Sequence, residues 1–347
     1  MSAATPPLAV ARADSGSAIA AWGRRNAWII GLLVILAVLF AFTKTIQPRY
    51  GPIPIQGLAT SILPLALAAV AQAIVVISGG IDLSIGSMMA LTSVISATLM
   101  KGQSPEFAIA VVIGVLLLGI VLGIINGSLV VLTRVPDIVV TLAMLFVWAG
   151  FALLVRSGPG GGAADWLKAL VVGPLIPATP PSNPASPTLG DWIPRAAVVL
   201  LVIVALVWIP VSRSRLGLSI YAIGSNRLAA FRSGVPVART TIAAYALTGL
   251  FSALAGLALT ASTGIGSPVP GPYTLLSVAA IVLGGVSLAG GRGGVFGPII
   301  AVVILQLIQT DLTFLQVDSN MALVAQGVIL IGVVMIGSLV EMRRRQA

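Results

Sequence analysis

The residues best suited to chemistry lie in the string ISGGIDLSIGS, Ile77 to Ser87, where one apolar run ends and the next begins with almost no linker. Gly79 and Gly80 free the backbone to turn. Asp82 or Ser84 can then cap the following helix by accepting hydrogen bonds from its free N–H groups. Two readings stand side by side. In one, the string is a tight interhelical turn with an N-cap; in the other it is a broken-helix element lining a solute path, with Asp82 accepting hydrogen bonds from solute hydroxyls.

A second string, GGVSLAGGRGG at Gly284 to Gly294, echoes the first. Aligning GGVSLA with GGIDLS sets Gly284 opposite Gly79, Gly285 opposite Gly80 and Ser287 opposite Asp82. Gly-interrupted segments in corresponding halves of a chain point to a transport site at a repeat interface, although Gly-rich turns also resemble one another by composition. A third segment, Ser212 to Arg239, carries five Arg and no acid. Within it Asn226 can cap a short helix running to Phe231, with Gly234 and Pro236 ending it. A basic inner loop is common, but one with its own capped helix is longer than a connector needs and offers a docking site for a cytoplasmic partner.

Other chemistries lack their residues. The chain has no Cys and no His, which removes thiolate ligands, the commonest metal ligand and the commonest general base. No GxxxxGK[ST] loop is present to cradle a nucleotide phosphate. No second acid lies close in sequence to Asp82, so a hydrolytic centre would have to be assembled from distant parts. No catalytic or metal-binding residue is therefore assigned, and no cofactor is expected on this chain. The alternative that keeps Asp82 at the centre is an ion-coupled secondary transporter in which it titrates.

The elements that must position these residues are membrane helices. Of 347 residues, 58% are hydrophobic and 8% charged, with a mean hydropathy of +1.11, more apolar surface than a soluble chain of this length can bury. The apolar runs are continuous rather than alternating, which predicts an all-α polytopic transmembrane helix bundle and not a barrel. Ten candidate spans fall near 27–43, 58–77, 85–100, 107–131, 138–155, 196–211, 240–261, 274–289, 295–310 and 321–340. With both termini placed in the cytoplasm, 13 of the 19 Lys and Arg fall on inner segments, as the positive-inside rule requires. The net charge of +10 is thus read as sidedness, and nucleic acid is not an expected partner. The expected organisation is a cytoplasmic tail over 1–26, one membrane domain over 27–340 and a basic tail over 341–347. The Gly/Pro-rich stretch 156–195 is expected to be an irregular outer loop, read as a connector, with a lid or docking surface as the alternative.

At GGIDLSIGS, at YAIGSNRLAAFRSGV and at LGGVSLAGGRGGVFGP the chain resembles the ribose/xylose/arabinose/galactoside permease family of ABC importers, and the order and spacing of the three strings match over about residues 28–340. The resemblance implies a multi-pass bacterial inner-membrane permease in a pair with a second copy or paralogue. It also implies a cytoplasmic ATP-binding cassette that uses ATP and Mg, an extracytoplasmic solute-binding protein and a sugar-like solute. Gly79, Gly80, Asp82, Ser84, Gly284, Gly285 and Ser287 are the candidate pathway residues. Gly224, Asn226, Arg227, Leu228, Ala229, Ala230, Arg232 and Gly234 resemble the helix that seats in the ATPase, with Ala229 and Ala230 allowing close approach to its groove. Leu228 departs from the family, which often has an acid there, and no salt bridge is expected from that position.

Overall fold

In hydrocarbon an apolar run must satisfy its own backbone N–H and C=O groups, and a helix is the way a single segment can do so. The computed structural model describes residues 27–176, 188–269 and 271–318, with isolated helical positions between 321 and 335. Among the described residues, seven helices are long and apolar enough to cross a membrane. They are α1 (Ala27–Ile46), α2 (Pro52–Ile77), α4 (Pro105–Thr133), α5 (Asp137–Val155), α7 (Arg195–Arg213), α10 (Val237–Thr263) and α12 (Phe296–Phe314). Shorter helices fill the gaps: α3 (Ile85–Met100), α6 (Asp165–Val171), α8 (Arg215–Ser225), α9 (Arg227–Arg232) and α11 (Tyr273–Leu283). No strand forms among the described residues; two isolated bridges, Gly160 with Gly266 and Pro174 with Pro194, pin the outer loop. The chain is an all-α polytopic membrane bundle. The expected tenth span and both expected tails fall wholly or largely outside the described residues.

Nine of the expected spans meet a helix, but the eighth is shorter than its apolar run. That run, 274–289, is helical only to Leu283, and at about 1.5 Å per residue α11 covers roughly half of a 30 Å hydrocarbon core. Its end is set by Gly284 and Gly285, discussed below.

Helix α2 is the axis of the bundle and is buried almost throughout, packed by α10, α11, α12 and α7. Helix α10 also packs on α3 and α4. The α4–α10 contact explains the abundance of small residues. Gly119, Gly123 and Gly127 recur every fourth residue on one face of α4, and a Cβ at Gly127 would lie 2.9 Å from the Ile242 Cα and from the Tyr245 Cβ. The glycines let the two backbones close on each other, which supplies van der Waals contact where lipid provides no hydrophobic drive.

Candidate translocation cavity and inner junction

Toward the outer side, α2, α10, α11 and α12 enclose a cavity of about 870 Å³, with Val172 and Gly173 of the outer loop at its edge. Gln56, Thr60 and Ser61 line it from α2, Ser262 and Thr263 from α10, and Gln306, Gln309, Thr310 and Thr313 from α12. No charged side chain is among its lining residues. The size suits a small molecule.

Hydrogen-bond direction gives this lining its chemistry. Thr60, Thr310 and Thr313 donate their hydroxyl protons to the carbonyls of Gln56, Gln306 and Gln309, at 2.8 Å in each case. Ser61 and Ser262 do the same to Leu58 and Leu259. With their protons spent on the helices, these hydroxyls turn lone pairs to the cavity and act as acceptors. Pro64, also in the lining, has no N–H, so the Thr60 carbonyl loses its usual helical donor. The Gln306 and Gln309 amides supply donors as well as acceptors, whereas Gln56 already gives its Nε2 to the Asp191 carbonyl at 2.8 Å. The cavity is therefore matched to a neutral solute rich in O–H groups; an ionised group would enter without a counter-charge.

The three motif segments meet at the opposite end of the bundle. Both α2 and α11 end in the same cap. After α2, the N–H groups of Gly79 and Gly80 donate to Val76 and Val75; after α11, those of Gly285 and Val286 donate to Val282 and Ile281. Gly79 and Gly285 hold φ of 87° and 79°, the left-handed region that glycine adopts at no steric cost. The structural register thus sets Gly285 opposite Gly79 and Gly284 opposite Ser78, one residue away from the alignment read from the strings. Matching GG to GG followed residue identity, whereas the cap is defined by which residue takes positive φ.

The two loops then touch. Gly291 donates its N–H to the Ile77 carbonyl at 2.9 Å, and a Cβ at Gly290 would fall 2.9 Å from the Gly79 Cα. Gly224, near the end of α8, wedges between them; a Cβ there would meet the Ile77 carbonyl oxygen and the Gly291 nitrogen. Tyr221, one turn earlier, donates its hydroxyl to the Gly293 carbonyl at 2.9 Å. A backbone junction made largely of glycines joins the ends of α2, α8 and α11.

Asp82 lies just beyond this junction and is fully buried. Its Oδ1 accepts from the Ser84 N–H at 2.8 Å and from the Ser84 hydroxyl at 2.6 Å, and its Oδ2 accepts from Asn126 Nδ2 at 3.4 Å. Asn126 also donates to Ser84 Oγ at 2.8 Å and accepts from Trp148 Nε1 at 3.2 Å. Thr141 accepts from the Leu83 N–H and donates to the Ile81 carbonyl, both at 3.1 Å. Asp82 thus folds the loop onto itself and ties it to α4 through Asn126, while Thr141 holds the same loop to α5. Ser84 sits at the α3 N-cap position without a side-chain cap bond, because its hydroxyl is used by Asp82 and Asn126.

Of the sequence-predicted pathway residues, Gly79, Gly80, Asp82, Ser84, Gly284, Gly285 and Ser287, none lines the outer cavity. Gly285 rests against Trp28, whose indole N–H donates to the Leu283 carbonyl at 2.9 Å, and Ser287 bonds through its backbone to Arg292. The cavity residues were missed, yet α12 carried a signal: Gln306, Gln309, Thr310 and Thr313 form a polar stripe at helical spacing in an apolar run.

The third segment folds as two short helices. Asn226 caps α9 by accepting from the Ala229 N–H at 2.9 Å, and Gly234 ends it at φ 83°. Its exposed face differs from expectation. Ala230 is 6% exposed and is packed into the chain itself, so it is not free to approach a partner groove. Leu228 and Phe231, 59% and 68% exposed, are the large apolar side chains that α9 presents outward, with Arg227, Ala229 and Arg232 also exposed. The preference for small residues had pointed to the alanine pair, but the helix turns only one of the two outward.

Comparison with known proteins agrees with this architecture. A family model described as branched-chain amino acid transport system / permease component matches residues 55–338. The autoinducer 2 import system permease proteins LsrD of Escherichia coli (strain K12) and of Shigella flexneri are each 29% identical to the chain over 324 residues, covering 93% of it and 95% of their own length. No solved structure matches the chain. The match over most of the chain, on a bundle of apolar helices, places it in the branched-chain amino acid transport system permease family, as a multi-pass inner-membrane permease subunit of an ABC importer.

Proposed function

We propose that the chain imports a neutral, hydroxyl-rich solute of monosaccharide size, driven by ATP hydrolysis in a separate cytoplasmic subunit. The observation that carries the solute class is the cavity lining, in which amides and acceptor hydroxyls converge and no charged side chain takes part. A branched-chain amino acid is a zwitterion, and neither of its charges would find a counter-charge in that lining. Autoinducer 2, the cargo named for the LsrD relatives, belongs in the same test as the sugars.

The energy enters through α9. Its capped helix with outward Leu228 and Phe231 suits an apolar groove on an ATPase, and Gly224 stands between that helix and the two GG loops. Gly79, Gly80, Asp82, Ser84, Gly284, Gly285 and Ser287 then serve the route from its inner end, as the joint through which movement of α8 and α9 reaches α2 and α11. Mg-ATP belongs to the partner, the chain itself being non-catalytic. A second permease copy or paralogue and an extracytoplasmic solute-binding protein complete the importer. The ion-coupled alternative has less support, since the Asp82 oxygens are engaged by Ser84 and Asn126 and face no cavity.

The test is uptake by proteoliposomes holding the chain with its ATPase and binding protein, offered labelled monosaccharides, autoinducer 2 and leucine. ATP-dependent uptake of neutral hydroxylated solutes with exclusion of leucine is the expected result. Selective leucine uptake would overturn the solute assignment.

A further inference from the structure

On the cytoplasmic side assigned by charge, the α4–α5 connection and the start of α9 enclose a second cavity of about 450 Å³, separate from the first. Arg134 and Arg227 line it together with Asp137. Arg134 closes α4 at φ 58°, in the left-handed region, and its guanidinium has no hydrogen bond or ion pair among the described residues. Arg227 makes a long contact of 3.5 Å from Nη2 to Thr241 Oγ1. The one carboxylate is already engaged, since Asp137 Oδ2 accepts from the Tyr245 hydroxyl at 3.3 Å. Two forked cations therefore face one cleft with a single, partly occupied acid between them. The remaining walls are apolar, from Val130, Val131 and Val135.

We propose that this cleft binds the phosphate of an anionic phospholipid from the inner leaflet, with Arg134 and Arg227 as its ligands. Guanidinium forks match phosphate oxygens in pairs, and basic clefts between helices at the cytoplasmic surface are suited to anionic headgroups. The surroundings favour a lipid over an acidic protein segment. The valine wall continues into Leu132, Ile138 and Val139, exposed on the flank of the bundle, where acyl chains run. A headgroup seated there would tie α9 to the α4–α5 connection through Arg227, so that anionic lipid steadies the segment assigned to ATPase coupling. That consequence rests on the proposed function; lipid binding itself does not.

Native mass spectrometry of the full chain, purified from membranes without its partners, reads the lipid directly. The expected result is an anionic phospholipid adduct, phosphatidylglycerol or cardiolipin, that persists where phosphatidylethanolamine is lost. Arg134→Gln with Arg227→Gln should abolish it, and Arg239→Gln, an exposed cation outside the cleft, should leave it intact. Val131→Trp keeps both cations but fills the cleft, and should abolish it too, so the proposal stays testable if the double variant does not fold. An unchanged adduct in either cleft variant overturns the proposal. So does displacement of the adduct by millimolar inorganic phosphate, which would mark a free-anion site. Absence of any anionic adduct from the wild type, with the two arginines needed only for ATPase binding, assigns them to the protein partner instead and overturns it as well.

Discussion

The backbone N–H of Gly291 donates to the carbonyl of Ile77 at 2.9 Å, so the loop that follows α11 hangs on the last turn of α2. Gly224 closes on the same carbonyl from the side of α8. Three segments remote in sequence therefore meet at one carbonyl, which accepts from Gly291 and is packed on by Gly224, and a shift of any one is felt by the other two.

Gly224→Ala tests this junction, because the new methyl group meets backbone on both sides rather than a side chain that can move away. Overpacking of this kind costs about 1–3 kcal/mol. The outward face of α9 is untouched, so the ATPase should still co-purify while ATP-dependent uptake falls by about tenfold or more. Uptake at the wild-type rate by the folded variant would show that the junction carries no motion.

The outer cavity makes a separate prediction. Gln306→Leu and Gln309→Leu each remove an amide from the cavity lining. Losing a neutral hydrogen bond costs about 0.5–1.5 kcal/mol, so each variant should weaken apparent solute affinity by up to about tenfold. Thermal stability should hold, and the affinity change should appear in concentration-dependent uptake. Equal affinity in both variants would move the solute path elsewhere.

Helix α9 should bind its ATPase through Leu228 and Phe231. Phe231→Ala, at a 68% exposed position, should lose the ATPase on co-purification with little change in the permease's own stability. Ala230→Trp should behave differently, lowering stability by about 1–3 kcal/mol because the position is packed inside the chain. Thermal unfolding together with co-purification separates the two, and retention of the ATPase by Phe231→Ala would remove the docking face.

At Asp82 the expected effects are structural. Asp82→Asn keeps an oxygen to accept from the Ser84 N–H and gives up only the long bond from Asn126, which still donates to Ser84 Oγ, so it should fold and transport. Asp82→Leu leaves the Ser84 N–H, its hydroxyl and the Asn126 amide short of a buried partner. An unsatisfied buried polar group costs about 1–3 kcal/mol, so the loss should be large enough to read by thermal unfolding. If Asp82→Asn folds normally but abolishes transport, the charge itself works in translocation and the ion-coupled reading returns.

Most of the fold was legible because lipid imposes long apolar runs, and nine of the expected spans meet helices. The half-length α11 was not, since its run stays largely apolar past Leu283 while Gly284 caps the helix and Gly285, at positive φ, turns the chain away. Asp82 stood out as an acid in an apolar setting, but its type could not reveal that Ser84 and Asn126 would occupy its oxygens, because Asn126 arrives from a different helix. Asn226 and Gly234 were readable as cap and stop because both act locally, whereas the inward turn of Ala230 depends on how α9 lies on the bundle. The cavity comes from four helices, and only the α12 stripe marked it in one dimension.

The central claim is that this permease moves a neutral solute only when an ATPase drives it through α9. The most direct measurement is uptake of a labelled monosaccharide, chosen as one retained by the binding protein, into proteoliposomes holding the permease and binding protein, with and without the ATPase and ATP. Proton and sodium gradients are imposed in turn. The account predicts uptake only with ATPase and ATP together, unaffected by either gradient, and lost in Phe231→Ala. Gradient-driven uptake by the permease without the ATPase would contradict it.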